Sequence, residues 1–273
     1  MYTNGKQTLQ SLIQERGVLL GCGIDSASPA IAELAGLLGY DVVWADLEHL
    51  GIDRAQAEDF CRGASAGGAL SLLRVPGADR DHILHALEAG AHIVVVPMVE
   101  SPDTAREVVR HGKFAPLGMR GFNGSSRGMR YGVGDKLDTM RWANEQTHLF
   151  VQIETMAAVQ RCTEIVSVPG ISGGLVGPAD LSVSMGKPLA FDDPEVIAVF
   201  RDAVRLIRDS GKIAASVTPH PSLLRAGLEE GLQIVICTSE TATLRTSWQQ
   251  TLREVTDDVR SLVCHKHVVS RAG

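Results

Sequence analysis

The feature that most limits how this 273-residue chain can fold is a repeat. From Gly17 nearly to the end, a short run rich in Val, Ile and Leu is followed by a turn and then an amphipathic helical stretch. The pattern predicts strands over 18–24, 41–46, 70–75, 92–97, 149–154, 173–177, 213–217 and 233–237. Helices are expected over 29–38, 54–64, 80–89, 102–111, 155–166, 194–209 and 221–230. Ser28-Pro29, Ser101-Pro102 and Asp193-Pro194 each set a cap residue ahead of a proline suited to a first helical position. Gly39, Gly90, Gly211 and Gly231 stand where helices should stop. About eight β/α units with nearly continuous apolar strands lead to an α/β fold, a single parallel (β/α)8 barrel over residues 1–273. An open, doubly wound sheet is the alternative. It is disfavoured because Gly21-Cys22-Gly23 lacks the third glycine of a dinucleotide-binding turn.

Two segments depart from the period. Residues 114–131 are glycine-rich, polar and arginine-bearing, an insertion of the kind that carries function or mobility. Residues 243–265 read as a long C-terminal extension helix, suited either to closing the barrel or to packing on a neighbouring subunit.

Composition removes several classes of function. With 44% hydrophobic and 21% charged residues the chain can bury a sizeable core, and no apolar run reaches a membrane span. A net charge of -6 argues against a nucleic-acid surface. Residues 1–17 are polar and mixed in charge, unlike a secretory signal, and the five scattered cysteines lack a C-x-x-C pair. Reduced thiols in a cytoplasmic protein are the expectation.

In a parallel barrel, chemistry gathers at the carboxyl ends of the strands. The second strand ends in Asp46-Leu47-Glu48-His49, the third in Arg74, the fifth in Gln152-Ile153-Glu154, and the sixth runs into Gly177-Pro178-Ala179-Asp180. Taken singly, each has an ordinary structural use, and Asp180 could simply cap a helix. Together they place buried charge that needs a compensating ion or anion. Glu154 and Asp180 form an all-oxygen donor pair suited to Mg²⁺ or Mn²⁺. Such an ion would hold a 2-oxo acid, Arg74 would stabilise an enolate oxygen, and His49 would move protons. Strand alternation sets Asp46 and Glu48 on one face and His49 on the other, so His49 reaches the site only if the chain turns there.

These segments, with Leu73-Arg74-Val75-Pro76, Glu88-Ala89-Gly90-Ala91, Pro97-Met98-Val99 and Gly118-Met119-Arg120-Gly121, closely resemble the HpcH/HpaI family of class II, metal-dependent 2-oxo acid aldolases. The resemblance covers most of residues 21–186. It implies a (β/α)8 barrel, usually a homohexamer with active sites near subunit interfaces. It also implies His49 as acid/base, Arg74 as transition-state stabiliser, and Glu154 and Asp180 as ligands of Mg²⁺, Mn²⁺ or Co²⁺. Gln152 and the Ala179 backbone would contact the 2-oxo acid, with Asp46 at the same substrate rim. Glu88 falls where the family has an acid that raises the basicity of the histidine; aspartate is common there. Leu47 stands where many relatives have glycine. The polar loop 122–130 is expected to choose the substrate, with Arg127 holding an acceptor that bears carboxylates or hydroxyls. The implied reaction is reversible retro-aldol cleavage of a 4-hydroxy-2-oxo acid to pyruvate and an aldehyde. Two alternatives are a Claisen-type, citrate-forming condensation of oxaloacetate with acetyl-CoA and a catalytically silent barrel that binds a 2-oxo acid.

Overall fold

The computed structural model describes residues 8–218 and 220–269, the last nine by backbone alone. Helix α1 (Leu9–Arg16) precedes strand β1 (Leu19–Gly23), and α2 (Pro29–Leu37), β2 (Val42–Asp46), α3 (Arg54–Gly67), β3 (Leu70–Arg74), α4 (Arg80–Glu88) and β4 (Ile93–Val96) follow in alternation. After α5 (Pro102–Gly112) come a 3₁₀ turn (Arg127–Gly132), α6 (Lys136–Gln146) and β5 (His148–Ile153). The remainder is α7 (Met156–Gln160), α8 (Cys162–Val166), β6 (Ile171–Val176), α9 (Pro178–Ser184), α10 (Pro194–Asp209), β7 (Ile213–Val217), α11 (Pro221–Glu229), β8 (Ile234–Ser239) and α12 (Glu240–Val269). All eight strands are parallel, and β8 pairs back onto β1 to close the barrel. The expected fold, with its C-terminal helix, is the one observed.

Local chemistry explains why the elements begin where they do. The side chains of Ser28, Ser101 and Asp193 accept the N–H groups of Ile31, Thr104 and Glu195, each worth about 1 kcal/mol. The strands sort their residues by period two. Val42 and Trp44, Leu70 and Leu72, Ile93 and Val95, and Phe150 fill the barrel interior, while Val43, Leu73, Val94 and Val151 face the surrounding helices. Phe150 fits because Gly173 has no side chain: a Cβ there would come within 2.7 Å of its ring. Leu9, Leu12 and Ile13 of α1 join this interior cluster, so α1 seals the end at which the strands begin.

Three helices were not expected from the sequence: α1, α6 and α9. Helices α1 and α9 are short, with 8 and 7 residues, and the polar surroundings of α1 and α6 hide their narrow apolar faces. The helix expected over 155–166 is instead broken into α7 and α8 at Arg161 (φ −112°). In α12, residues 243–255 are all exposed, with Leu244, Trp248, Leu252, Val255 and Val259 spaced as one apolar stripe. No helix among the described residues is long and apolar enough to cross a membrane. Cys22, Cys61, Cys162 and Cys237 are free thiols, and the side chains of Cys264, His265 and His267 lie outside the described residues.

Candidate active site

The period that fills the barrel also builds the rim of the site. Asp46 continues the inward series Val42–Trp44, Arg74 continues Leu70–Leu72, and Gln152 continues Phe150. Three polar side chains therefore leave the strands at the carboxyl end of the barrel, above an apolar floor. Arg74 and Asp46 are directly opposite in register and form a two-pronged pair, Nε to Oδ1 at 3.0 Å and Nη2 to Oδ2 at 2.6 Å. Nη1 of Arg74 lies 3.1 Å from Oε2 of Glu48, and its guanidinium sits over the Trp44 ring, 5.2 Å from the centroid. Burial alone would lower the pKa of Arg74. The bonds to Asp46 and the charges of Asp46, Glu48 and Glu154 outweigh it, and the net shift is upward. Arg74 is a fixed cation with a fixed orientation.

The chain does turn after Asp46. Residues 47–49 leave the strand, and the Glu48 N–H donates to Oδ1 of Asp46 at 3.0 Å. This turn removes the obstacle that strand alternation posed for His49, whose Nε2 comes 3.6 Å from Oε2 of Glu48. His49 remains largely exposed, with 63% of its side chain accessible. Glu48, which sequence reasoning left without a role, links the arginine and the histidine.

Glu154, at the end of β5, is only 2% exposed. Its Oε1 accepts the Met98 N–H at 2.7 Å and its Oε2 accepts from Nε2 of Gln152. Met98 reaches it from a left-handed backbone, φ +53°, a conformation that costs a non-glycine residue on the order of 1 kcal/mol. Burial raises the Glu154 pKa most. The Met98 and Gln152 bonds oppose this, while the charges of Asp180 and Glu48 add to it. Gly177 makes the close approach possible, since a Cβ there would lie 2.9 Å from Nε2 of Gln152 and 3.1 Å from Cβ and Oε2 of Glu154. Asp180 sits in the first turn of α9, whose cap position is Gly177, so capping does not account for it.

The site suits a hard divalent ion. No group of three or more His, Cys, Asp or Glu side chains converges among the described residues. Instead, a buried carboxylate with a raised pKa feels a second carboxylate, and Oε1 of Gln152 is buried without a hydrogen-bond partner. A cation at Glu154 and Asp180 would reverse that unfavourable electrostatics and leave positions for oxygens of water or substrate.

Two expected residues stand elsewhere. Glu88 ends α4 at the opposite end of the barrel from His49, with Oε2 4.0 Å from Nδ1 of His85. The loop over 114–131 does not bring Arg127 to the rim. Arg127 is buried (8% exposed), with Nη2 donating to the Cys61 carbonyl at 3.2 Å and to Oγ of Ser65 at 2.9 Å. It lines a cavity of about 320 Å³ with Leu9, Leu70, His92 and His148, at the end where the strands begin. Arg130 lines the same cavity and stacks on Trp142 at 3.9 Å. Gly128 lets the turn press onto α4, where a Cβ would collide with the Leu87 carbonyl.

A closed parallel barrel whose carboxyl rim holds a fixed arginine, an exposed histidine and a buried carboxylate beside an aspartate belongs to the class of barrels equipped for carbonyl chemistry. Comparison with known proteins specifies the family. The model of the HpcH/HpaI aldolase/citrate lyase family matches residues 20–247, and the chain belongs to that family. A hydroxypyruvate/pyruvate aldolase of Sagittula stellata is 34% identical over 221 residues, covering 81% of this chain and 87% of the relative. A 2-keto-3-deoxy-L-rhamnonate aldolase of Klebsiella pneumoniae is 32% identical, covering 81% and 84%. The crystal structure of an HpcH/HpaI aldolase from Desulfitobacterium hafniense superposes with a TM-score of 0.83 at 25% identity, over 91% of this chain and 97% of that one.

Proposed function

We propose that this chain is a carbon–carbon lyase that reversibly cleaves a 4-hydroxy-2-oxo acid to pyruvate and an aldehyde. The observation that carries the reading is the buried Glu154 carboxylate, held by the Met98 N–H and Gln152 on the same rim as Asp180 and the oriented Arg74. Glu154 and Asp180 would hold Mg²⁺ or Mn²⁺, with Co²⁺ as a substitute. When bound, such an ion supplies Lewis acidity toward a 2-oxo acid and makes its enolate accessible near neutral pH.

The chain's own residues do the rest. His49 takes the proton of the C4 hydroxyl as the C3–C4 bond breaks and the aldehyde departs. The electron pair left on C3 is delocalised onto the C2 oxygen, where Arg74 donates to the developing charge. The proton that His49 took is then delivered to C3 and completes the methyl group of pyruvate. Asp46, with both oxygens engaged by Arg74, serves the substrate by fixing that donor. Gln152 steadies Glu154 and has its amide oxygen left for a ligand. The Ala179 backbone would meet the 2-oxo acid carboxylate. Glu88 could approach His49 only from a second copy of the chain, consistent with a hexamer of 1–273 units joined in part through the apolar stripe of α12. The small-molecule chemistry fits a cytoplasmic enzyme without nucleic-acid or membrane partners.

The test is solvent deuterium exchange into the pyruvate methyl group, followed by NMR with EDTA-treated protein and then with added Mg²⁺, Mn²⁺ or Co²⁺. Metal-dependent exchange that is lost in Glu154→Ala and His49→Ala is expected. Absence of exchange with every metal refutes the reading. Oxaloacetate with acetyl-CoA would then test the citrate-forming alternative, whose multiply charged partner loses its main support because Arg127 does not stand at the rim.

A further inference from the structure

The cavity of about 320 Å³ at the end where the strands begin is walled by parts of the chain far apart in sequence: α1, α3, the turn between α4 and β4, the 3₁₀ turn, α6 and the start of β5. Its polar lining includes Arg127, Arg130, His92, His148 and Gln146, and no Asp or Glu is among the described lining residues. The Arg127 guanidinium is steered by the Cys61 carbonyl and by Oγ of Ser65, at 3.2 and 2.9 Å. Arg130 leaves the backbone from a left-handed conformation, φ +53°, shared by Tyr131 at +54°, which residues bearing a side chain rarely adopt. Trp142 supports the Arg130 guanidinium, 3.9 Å from the ring centroid.

We infer that this cavity is a second ligand site, built for a small, doubly charged oxyanion, a dicarboxylate or a phosphate. The inference is independent of the aldolase reading. Positive charge accumulates around the cavity with little acid to match it. Behind it, buried Lys113 is held by two carbonyls, those of Asn144 at 2.7 Å and Thr147 at 2.5 Å. Buried Arg120 packs on the Phe114 ring at 4.7 Å, with its Nε and Nη2 lacking hydrogen-bond partners. Among the described residues, the acid whose charge reaches Arg120 is Glu88. Buried charge is costly unless an opposite charge compensates it, so a cluster of buried cations of this kind favours an anion.

The two histidines add hydrogen-bond donors. Nδ1 of His92 accepts the Ser71 N–H at 3.1 Å, so the hydrogen of the neutral ring sits on Nε2, which bonds to no described residue. The His148 ring lines the cavity, is more than nine-tenths buried and makes no hydrogen bond to a described residue. Burial first, and the Arg127 charge second, push His92 down to about 4, so the ring is neutral near pH 7 and feels the positive field of the site. Forked guanidiniums beside neutral N–H donors match the oxygens of carboxylate or phosphate groups. The volume stands at the small end of the range for ligand sites, which suits a dicarboxylate of a few carbons and excludes a nucleotide. An anion seated there would join α1, the 3₁₀ turn and α6, and would stabilise the folded chain by mass action.

The experiment is calorimetric titration of the full-length, Mg²⁺-loaded protein with succinate, with inorganic phosphate and with the neutral diamide succinamide, each with and without saturating pyruvate. Succinate or phosphate should bind at a single site per chain, about tenfold or more tighter than succinamide, and the tighter of the two names the anion. Pyruvate should leave this binding unchanged, because the cavity and the rim lie at opposite ends of the barrel. Arg130→Gln should weaken it by about tenfold or more. Gln146→Glu supplies a carboxylate from the cavity wall itself. It should weaken binding to a similar degree while raising the melting temperature of the unliganded protein by about 2 °C, the opposite of what damaged packing does. Far-UV circular dichroism of both variants checks that they fold. Failure of both anions to bind overturns the inference, as do displacement by pyruvate, equal binding of succinamide, or an affinity that neither variant moves.

Discussion

Gly177→Ala offers a sharp test of how the site is held together. The backbone there is extended (φ −93°, ψ 94°), so alanine brings no conformational penalty and the perturbation is steric alone. The added Cβ would stand 2.9 Å from Nε2 of Gln152 and 3.1 Å from both Cβ and Oε2 of Glu154. Restoring ordinary contact requires these groups to retreat by about 0.3–0.5 Å, and a displacement of about 1 Å at a reacting centre can cost on the order of a hundredfold. A loss of roughly tenfold in kcat/KM therefore follows, with a comparable loss in divalent-ion affinity. Overpacking should add about 1–3 kcal/mol of destabilisation. Steady-state kinetics at saturating and limiting Mn²⁺, with ion binding measured by calorimetry, would separate the contributions. Activity and affinity both within twofold of wild type would refute the claim that Gly177 sets the position of Glu154.

Other substitutions probe independent parts of the molecule. Arg74→Lys retains charge but cannot reproduce the two-pronged bond to Asp46 together with the approach to Glu48; kcat should fall about a hundredfold or more, and a change below threefold in steady-state assays would dismiss the fork as the operative feature. His148 is 7% exposed, and burial, with smaller effects of the Lys113 and His92 charges, depresses its pKa from 6.5 to about 3. The unfolded chain therefore binds more protons between those values, so this contribution to stability is complete above pH 6.5 and is lost as pH falls toward 3. Denaturant melts should show a loss of about 2 kcal/mol from this residue between pH 6.5 and 5, and His148→Asn should flatten that slope. Trp248→Asp with Leu252→Asp should shift sedimentation toward smaller species while leaving far-UV circular dichroism intact; an unchanged mass would remove α12 as a subunit contact.

The barrel was legible because its signals are local and repeated: apolar runs, serine or aspartate before proline, and glycine after several of the helices. The positions of Asp46, Arg74 and Gln152 were legible for the same reason, since the two-residue period that buries Trp44, Leu72 and Phe150 carries them inward. Asp180 was readable as more than a cap once its place in the first turn of α9 was fixed. The α1 helix also left a trace, the i, i+3, i+4 spacing of Leu9, Leu12 and Ile13, obscured by polar neighbours. What could not be read was the course of the loop over 114–131. A glycine-rich segment can fold toward either end of a barrel, and contacts distant in sequence decided it: Ser65 and the Cys61 carbonyl draw Arg127 downward, and Gly128 presses on Leu87. Met98 was equally hidden, because a backbone N–H turned by a positive φ leaves no mark in side-chain chemistry.

The seal formed by α1 has a consequence for how such a barrel can change over time. With one mouth closed by Leu9, Leu12 and Ile13, the opposite rim is the doorway that the described residues leave to the strand ends, and the two poles of the molecule answer to different demands. Residues at the stopper work to hold the beginnings of the strands together, whereas those at the doorway meet whatever enters. A lineage could thus rewrite its menu of aldehydes at one pole while the other held the vessel together.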